Sequence, residues 1–310
     1  MFNFFKITCT CAKVSNNKHY TMPNTNSPIT AAAYWMLITL ISFSVLAVAV
    51  RELTKSLGTA EILFFRSLFG LIIIAFIVYK TGTKQLKTRH FKKHALRNVA
   101  HFLGQYGWVT GIAFIPLADV FALEFTTPIW AVIIAAVMLK EKISRARIAA
   151  LVFGIIGVMV ILQPSTHAIH PAALAVLAGA ASYALSHTLT KSIAQFDSPV
   201  AIIFYMSLIQ LPMAFILSIT NWVMPNGIMW LWLVTVAACA LLAHYCMAKA
   251  LSLADAMLVI PLDFLRLPLI MLVGLLLYNE QPEWSLLAGA SLMLLGNYLN
   301  LKYARTTRNS

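Results

Sequence analysis

Arg66, Glu124, Asp263 and Arg266 each stand inside a long apolar run, where charge is least tolerated. A charged side chain at mid-bilayer costs about 2.5 to 3.5 kcal/mol, so each needs a partner or a wet cavity. Arg66 and Glu124 lie at a similar depth, each a few residues into a run that starts on the same side; Asp263 and Arg266 are one helical turn apart. The four charges sum to zero. One reading is a binding site whose cations and anions answer opposite charges on a zwitterionic solute. The other is two internal ion pairs, Arg66 with Glu124 and Asp263 with Arg266, that lock helices and never meet a solute. A titrating Glu124 or Asp263 would in addition couple the site to protons. Nearby runs offer His101, Gln105, Tyr106 and Trp108, then Trp130, then His244 and Tyr245. Such rings stack on a flat solute or shelter an ammonium or sulfonium group by cation-π contact, although many membrane aromatics sit at the lipid interface instead. His101, Gln105 and Trp130 are the candidates carried forward as cavity-lining.

The elements that hold these residues follow from composition. Of 310 residues 60% are apolar and 11% charged, with mean hydropathy +0.82, against about 25% charged in a soluble domain. So few charges cannot clothe a water-soluble core, which makes the chain an integral membrane protein. The net charge of +13 does not indicate nucleic acid, because the basic residues lie in the gaps between apolar runs. Runs long enough to span fall near 31–50, 60–79, 98–115, 118–139, 148–162, 172–190, 198–220, 228–248, 254–277 and 284–301. That is an all-α protein of ten transmembrane helices; the gap around Pro116 is so short that nine spans remain an alternative. By this count 19 of the 23 Lys and Arg fall on one side of the membrane and two, Arg51 and Lys55, on the other, with Arg66 and Arg266 inside spans. Cytoplasmic loops retain positive charge, so both termini are expected in the cytoplasm and the chain in the inner membrane.

The tetrapeptide Leu53-Thr54-Lys55-Ser56 recurs as Leu189-Thr190-Lys191-Ser192, and Leu117-Ala118-Asp119 as Leu253-Ala254-Asp255, both at an offset of 136. Two matches at one offset indicate duplication, with residues 31–163 and 172–302 as halves of five helices, a tail over 1–30 and another over 303–310. An odd number of spans inverts the second copy, an architecture typical of secondary transporters with a site between the halves.

Other features read as structural. Asp119 and Asp255 are expected to cap their helices, and Glu141 and Glu280 to play one structural role at opposite membrane faces. Pro128, Pro261 and Pro268 lie inside spans and each frees a carbonyl, either for a hinge and cargo contact or for mere bending. Gly104, Gly107 and Gly111, and Gly154 with Gly157, form smooth stripes for close helix packing. Cys239 and Cys246 are seven residues apart on one helix, too far to bridge; Cys9 and Cys11 lie in a tail without further metal ligands; Met22 is an alternative start. No phosphate loop, His-Glu-x-x-His or Cys ligand set appears, so no enzyme, metal or cofactor is expected.

These features resemble the drug/metabolite transporter superfamily, EamA-like branch, over about residues 33–303. The resemblance rests on Phe65-Arg66, Ile115-Pro116-Leu117-Ala118-Asp119, Pro128, Leu139-Lys140-Glu141 and Gly154 with Gly157. Where the family commonly has Gly before the closing Glu, this chain has Lys140 and Asn279. The resemblance implies two five-helix halves, a central cavity among spans three, four, eight and nine, and transport of small metabolites. The expectation is a secondary transporter moving a zwitterionic or amphipathic metabolite, an amino acid or S-adenosylmethionine-like compound, by alternating access. Efflux of lipophilic cations or drugs is the alternative; an intramembrane enzyme fits less well. Expected partners are a small-molecule substrate and the lipid bilayer, with a homodimer left open and no nucleic acid.

Overall fold

The computed structural model describes residues 28–139, 145–163, 169–194, 196–253, 262–263, 265–281 and 283–306. Cys9, Cys11, Met22, Lys140, Glu141, Asp255 and Pro261 lie outside the described residues. Within them the regular structure is helical, and every expected span is occupied. The first half comprises α1 (Pro28–Thr54), α2 (Thr59–Thr81), α3 (Phe91–Phe114), α4 (Leu117–Glu124), α5 (Thr127–Leu139) and α6 (Arg145–Leu162). The second comprises α7 (Pro171–Ile193), α8 (Pro199–Ser218), α9 (Met229–Leu253), α10 (Arg266–Tyr278) and α11 (Trp284–Thr306). Five unbroken stretches, in α1, α2, α7, α8 and α9, are long and apolar enough to cross a membrane alone. The remaining spans are filled by α3, whose first turns are basic, by the α4–α5 pair, and by α6, α10 and α11.

The third and fourth spans are separate helices, which settles the count at ten. The N–H of Ile115 closes α3 on the carbonyl of Gly111 at 3.0 Å, and Pro116, with no N–H to offer, takes an extended conformation from which α4 starts. Two residues reverse the chain.

The longest packing seams run between α1 and α9, α3 and α7, α6 and α11, and α2 and α8. Exchanging each helix for its counterpart in the other half turns α1–α9 into α7–α3 and returns α2–α8 and α6–α11 to themselves. A pairing closed under that exchange is what two inverted five-helix repeats produce around a two-fold axis in the membrane plane. Of the stripe glycines all but Gly154, which faces Ile129 of α5, lie on these seams. A Cβ on Gly107 would overlap the Ala175 carbonyl of α7, one on Gly179 would stand 3.0 Å from the Gly104 oxygen, and one on Gly157 2.7 Å from the Gly289 oxygen of α11. Backbones approach this closely only where side chains are absent.

Both halves interrupt their fourth helix at the same point. In the first, α4 ends at Glu124 and α5 resumes at Thr127, so Pro128 falls in the first turn of the new helix, where a missing N–H costs little. The carbonyl that Pro128 cannot serve is that of Glu124. It accepts instead from the Thr127 hydroxyl at 2.6 Å, while the Thr126 hydroxyl donates to the Leu123 carbonyl at 2.7 Å. The freed carbonyls are thus satisfied by threonines and not offered to cargo. In the second half Leu262 and Asp263 are helical and α10 restarts at Arg266, with Pro268 again in its first turn.

Asn279 ends α10 in the left-handed conformation, φ +56°, with its N–H on the Gly274 carbonyl. That is where a helix favours Gly and next tolerates Asn, so the departure from the family's glycine keeps the same cap. Glu280, directly after it, accepts from the backbone N–H of Leu117 at 2.9 Å and pairs with Arg51. This corrects the reading of Asp119 as a cap: the N-cap position belongs to Pro116, Asp119 sits in the first turn, and the carboxylate serving the helix start is Glu280, reaching over from α10.

Candidate functional site

The interrupted helices place their charges in the middle of the molecule. Glu124 ends α4 and Arg266 begins α10, which puts each at the end of its own helix that its charge disfavours: an anion at a carboxyl terminus, a cation at an amino terminus. Because α4 and α10 pack together with these ends adjoining, each charge meets the favourable end of its neighbour. Arg266 stands 3.6 Å from Glu124 and 3.2 Å from Asp263, with its side chain 5% exposed. The guanidinium carbon also lies 4.7, 5.0 and 5.2 Å from the ring centres of Phe43, Phe121 and Phe125. Trp108 completes the shell by donating from Nε1 to Glu124 at 2.9 Å. Arg266 is therefore enclosed by two carboxylates and three rings, an arrangement in which a desolvated cation is neutralised and held. One carboxylate oxygen, Asp263 Oδ1, is buried without a hydrogen-bond partner among the described residues.

Arg66 is treated differently. It projects from α2 into a cavity of about 270 Å³ that all four charged residues line, and among the described residues it has neither a hydrogen bond nor an ion pair. The expected pairing of Arg66 with Glu124 is thus replaced by a cluster of Arg266, Glu124 and Asp263. The physical reason is that the breaks in spans four and nine abut, which brings Arg266 to Glu124 at a depth that sequence spacing within either helix does not reveal.

His101 and Gln105 also line the cavity. Trp130 does not. On α5 the lining residues are Thr127 and Pro128. Trp108 and His244 line the cavity as well, whereas Tyr106 is 39% exposed on the outside of α3. Tyr183 and His187, both on α7, were missed by the residue-type survey although they face the cavity. Their signal is two polar rings at i and i+4 in a run whose other residues are apolar or small hydroxyls, a spacing that shares one helix face.

These rings form a continuous set. Tyr183 meets His101 edge-on with centroids 5.4 Å apart and stacks on His187 at 6.1 Å, and His244 lies 6.5 Å from His101. The His101 ring is held from behind: its Nδ1 lies 2.9 Å from Nε2 of Gln105 and 3.1 Å from Nε2 of Gln210 on α8. In sum, among the described residues, the site offers a cation without an ion pair, a carboxylate pair with one unmet oxygen, and a wall of rings. No group of three or more His, Cys, Asp or Glu able to hold a metal ion occurs among the described residues.

Comparison with known proteins agrees with this architecture. The EamA-like transporter family matches residues 30–163 and again 170–302. The riboflavin transporter of Vibrio cholerae is 31% identical over 268 residues, 85% of this chain and 90% of that protein. The S-adenosylmethionine uptake transporter of Rickettsia felis is 27% identical over 260 residues, 84% and 88% of the two chains, and the pseudopaline exporter CntI of Pseudomonas aeruginosa 26% identical over 260 residues, 82% and 89%. One crystal structure, of a protein 17% identical, superposes with a TM-score of 0.61 over 90% of this chain and 99% of the other, which shows a shared fold. With the family matching both halves in full, the chain belongs to the EamA-like transporter family and is a multi-pass membrane transporter of a small molecule, not an enzyme.

Proposed function

We propose that the protein carries a small zwitterionic or amphipathic metabolite with a flat ring through the membrane by alternating access, the two halves rocking about the central cavity. The observation that carries this reading is the cavity itself: it lies between the halves and draws Arg66 and Glu124 from the first and Asp263 and Arg266 from the second. Arg66, Asp263, Glu124, His101 and Gln105 are the residues proposed to meet cargo, with Trp130 retained only as a neighbour of that wall. The wall of rings supports a heterocyclic cargo, and relatives named for riboflavin and for S-adenosylmethionine share that chemistry. Because named relatives include uptake transporters and an exporter, the direction is open to measurement. The excess of Lys and Arg on one side supports a topology with both termini in the cytoplasm.

The experiment is solute exchange in proteoliposomes with labelled S-adenosylmethionine, riboflavin and a panel of amino acids. Exchange of one of them that is abolished by Asp263→Asn and by Arg66→Gln supports the reading. Efflux of lipophilic cations, with Arg66→Gln unimpaired and the carboxylate variants inactive, would replace it by the drug-cation alternative.

A further inference from the structure

The two arginines of the cavity are not equivalent, and the difference gives the cavity a polarity. Resting on the transport reading above, we propose that Arg66 and the Nε2–H of His101 form an oxyanion-receiving end, so that the cargo bears a carboxylate or phosphate group, while Arg266 is a positioning residue that holds Glu124 and Asp263 and does not touch cargo.

The state of His101 follows from its neighbours. Gln210 Nε2 lies 3.3 Å from the main-chain carbonyl of Asn98 as well as 3.1 Å from His101 Nδ1. A carbonyl oxygen only accepts, so that atom is the amide nitrogen and its second contact must also be a donation. Nδ1 of His101 is therefore an acceptor and carries no proton, its one in-plane lone pair shared between the Gln210 amide and the Gln105 amide nitrogen 2.9 Å away. The ring proton resides on Nε2, on an imidazole that lines the cavity. Two buried glutamines at one ring nitrogen leave the proton on the other, on a ring that lines the same cavity as a guanidinium without an ion pair among the described residues. Two donors lining one cavity, one of them a planar fork, suit an oxyanion.

The test uses small probes and does not depend on transport. Thermal unfolding midpoints of the purified full chain are compared with benzoate, phenyl phosphate and the neutral isostere benzamide at equal ionic strength. An anion preference is expected over benzamide, and the arm with the larger shift distinguishes carboxylate from phosphate. Arg66→Gln should weaken the anion about ten- to a hundredfold, as for loss of a charged hydrogen bond, and leave benzamide unchanged. His101→Gln, whose amide nitrogen stands in for Nε2, should retain more of the preference than His101→Asn, whose amide nitrogen stands in for Nδ1. Should Arg66→Gln fail to fold, Arg66→Lys, which keeps the charge but loses the fork, should reduce the preference several-fold. Equal shifts for all three probes in the unaltered protein, or an anion preference that survives loss of Arg66, would overturn the polarity. Exchange is scored separately: an anion preference in a protein that exchanges no solute supports the polarity and sinks the cargo reading, whereas exchange without the preference does the reverse.

Discussion

At the scale of single residues, the structure divides like from like. Arg66 and Arg266 have the same chemistry and both lie inside spans, yet one stands open in a cavity and the other is enclosed. Removing Arg266 leaves two carboxylates facing each other in a desolvated cluster, and breaking such a cluster costs about 3 to 5 kcal/mol. Arg266→Gln is therefore expected to lower the thermal midpoint sharply and abolish exchange, whereas Arg66→Gln should abolish exchange with stability within about 1 kcal/mol. Equal destabilisation by both, read in one thermal series, would show that Arg66 is structural as well. Thr127 makes a comparable case. Its hydroxyl serves the Glu124 carbonyl that Pro128 abandons, so Thr127→Val leaves a buried acceptor unmet and should cost about 1 to 3 kcal/mol, measured by chemical denaturation in detergent. All four site charges were legible in the sequence because charge in an apolar run is conspicuous. So was the pairing of Asp263 with Arg266 one turn on; that Glu124 pairs with Arg266 and not with Arg66 was not legible, because that pair joins helices more than a hundred residues apart in the chain.

At the scale of helices, close packing is set by what is missing. On Gly157 a Cβ would come within 2.7 Å of both the Gly289 oxygen and Met293, so Gly157→Ala must part α6 from α11. Overpacking of this kind costs about 1 to 3 kcal/mol; a thermal midpoint equal to that of the unaltered protein would show that the seam yields freely. The connections answer to electrostatics instead. In the turn between α7 and α8, burial alone would raise the Asp197 carboxyl, but hydrogen bonds from the Thr88 hydroxyl at 2.5 Å and His94 Nε2 at 2.7 Å outweigh it and hold the group below its ordinary range. The folded state thus releases the proton more readily than the unfolded one. Its stabilisation is complete above the unfolded value of about 3.9 and is lost as pH falls through the lowered folded value. Thermal midpoints taken from pH 6 down to pH 3 should fall less steeply in Asp197→Asn than in the parent, and parallel curves would remove this link. The glycine stripes and the Pro128 break were visible in the sequence as helix-spaced small residues and a ring without an N–H. The tie through Asp197 was not, because its partners Thr88 and His94 stand more than a hundred residues away in the chain.

At the scale of the whole molecule, one carboxylate gathers three helix ends. Glu280 pairs with Arg51 near the end of α1 and accepts from Leu117 at the start of α4, and Arg51 in turn donates to the Ile115 carbonyl at 2.9 Å. On the alternating-access reading proposed above, rocking of the halves parts this end of the bundle and the tie latches one of the two access states. Glu280→Gln weakens it, and a cysteine introduced at Ile115 should then react faster with an impermeant maleimide supplied from the side on which α1 ends. Arg51→Glu with Glu280→Arg restores the ion pair but not the acceptor for Leu117, and should recover the parent's rate only in part. Labelling that is unchanged by Glu280→Gln would mean that this end does not open.

The sequence by itself determined the class of the protein, the duplication and its family, because each of these is written in local quantities: hydropathy over about twenty residues, a recurring tetrapeptide, and motifs at fixed spacing; it left the spans at nine or ten until the break at Pro116 was seen. Only the tertiary structure decided that Arg266 is enclosed and Arg66 open, that Glu280 rather than Asp119 serves the start of α4, that Trp130 is not among the residues lining the cavity, and that Tyr183 and His187 are. Each of those outcomes depends on the contact between α4 and α10 or on the seam between α3 and α7. Helix faces follow from spacing along one chain segment, but the partner a face meets follows from how both halves pack.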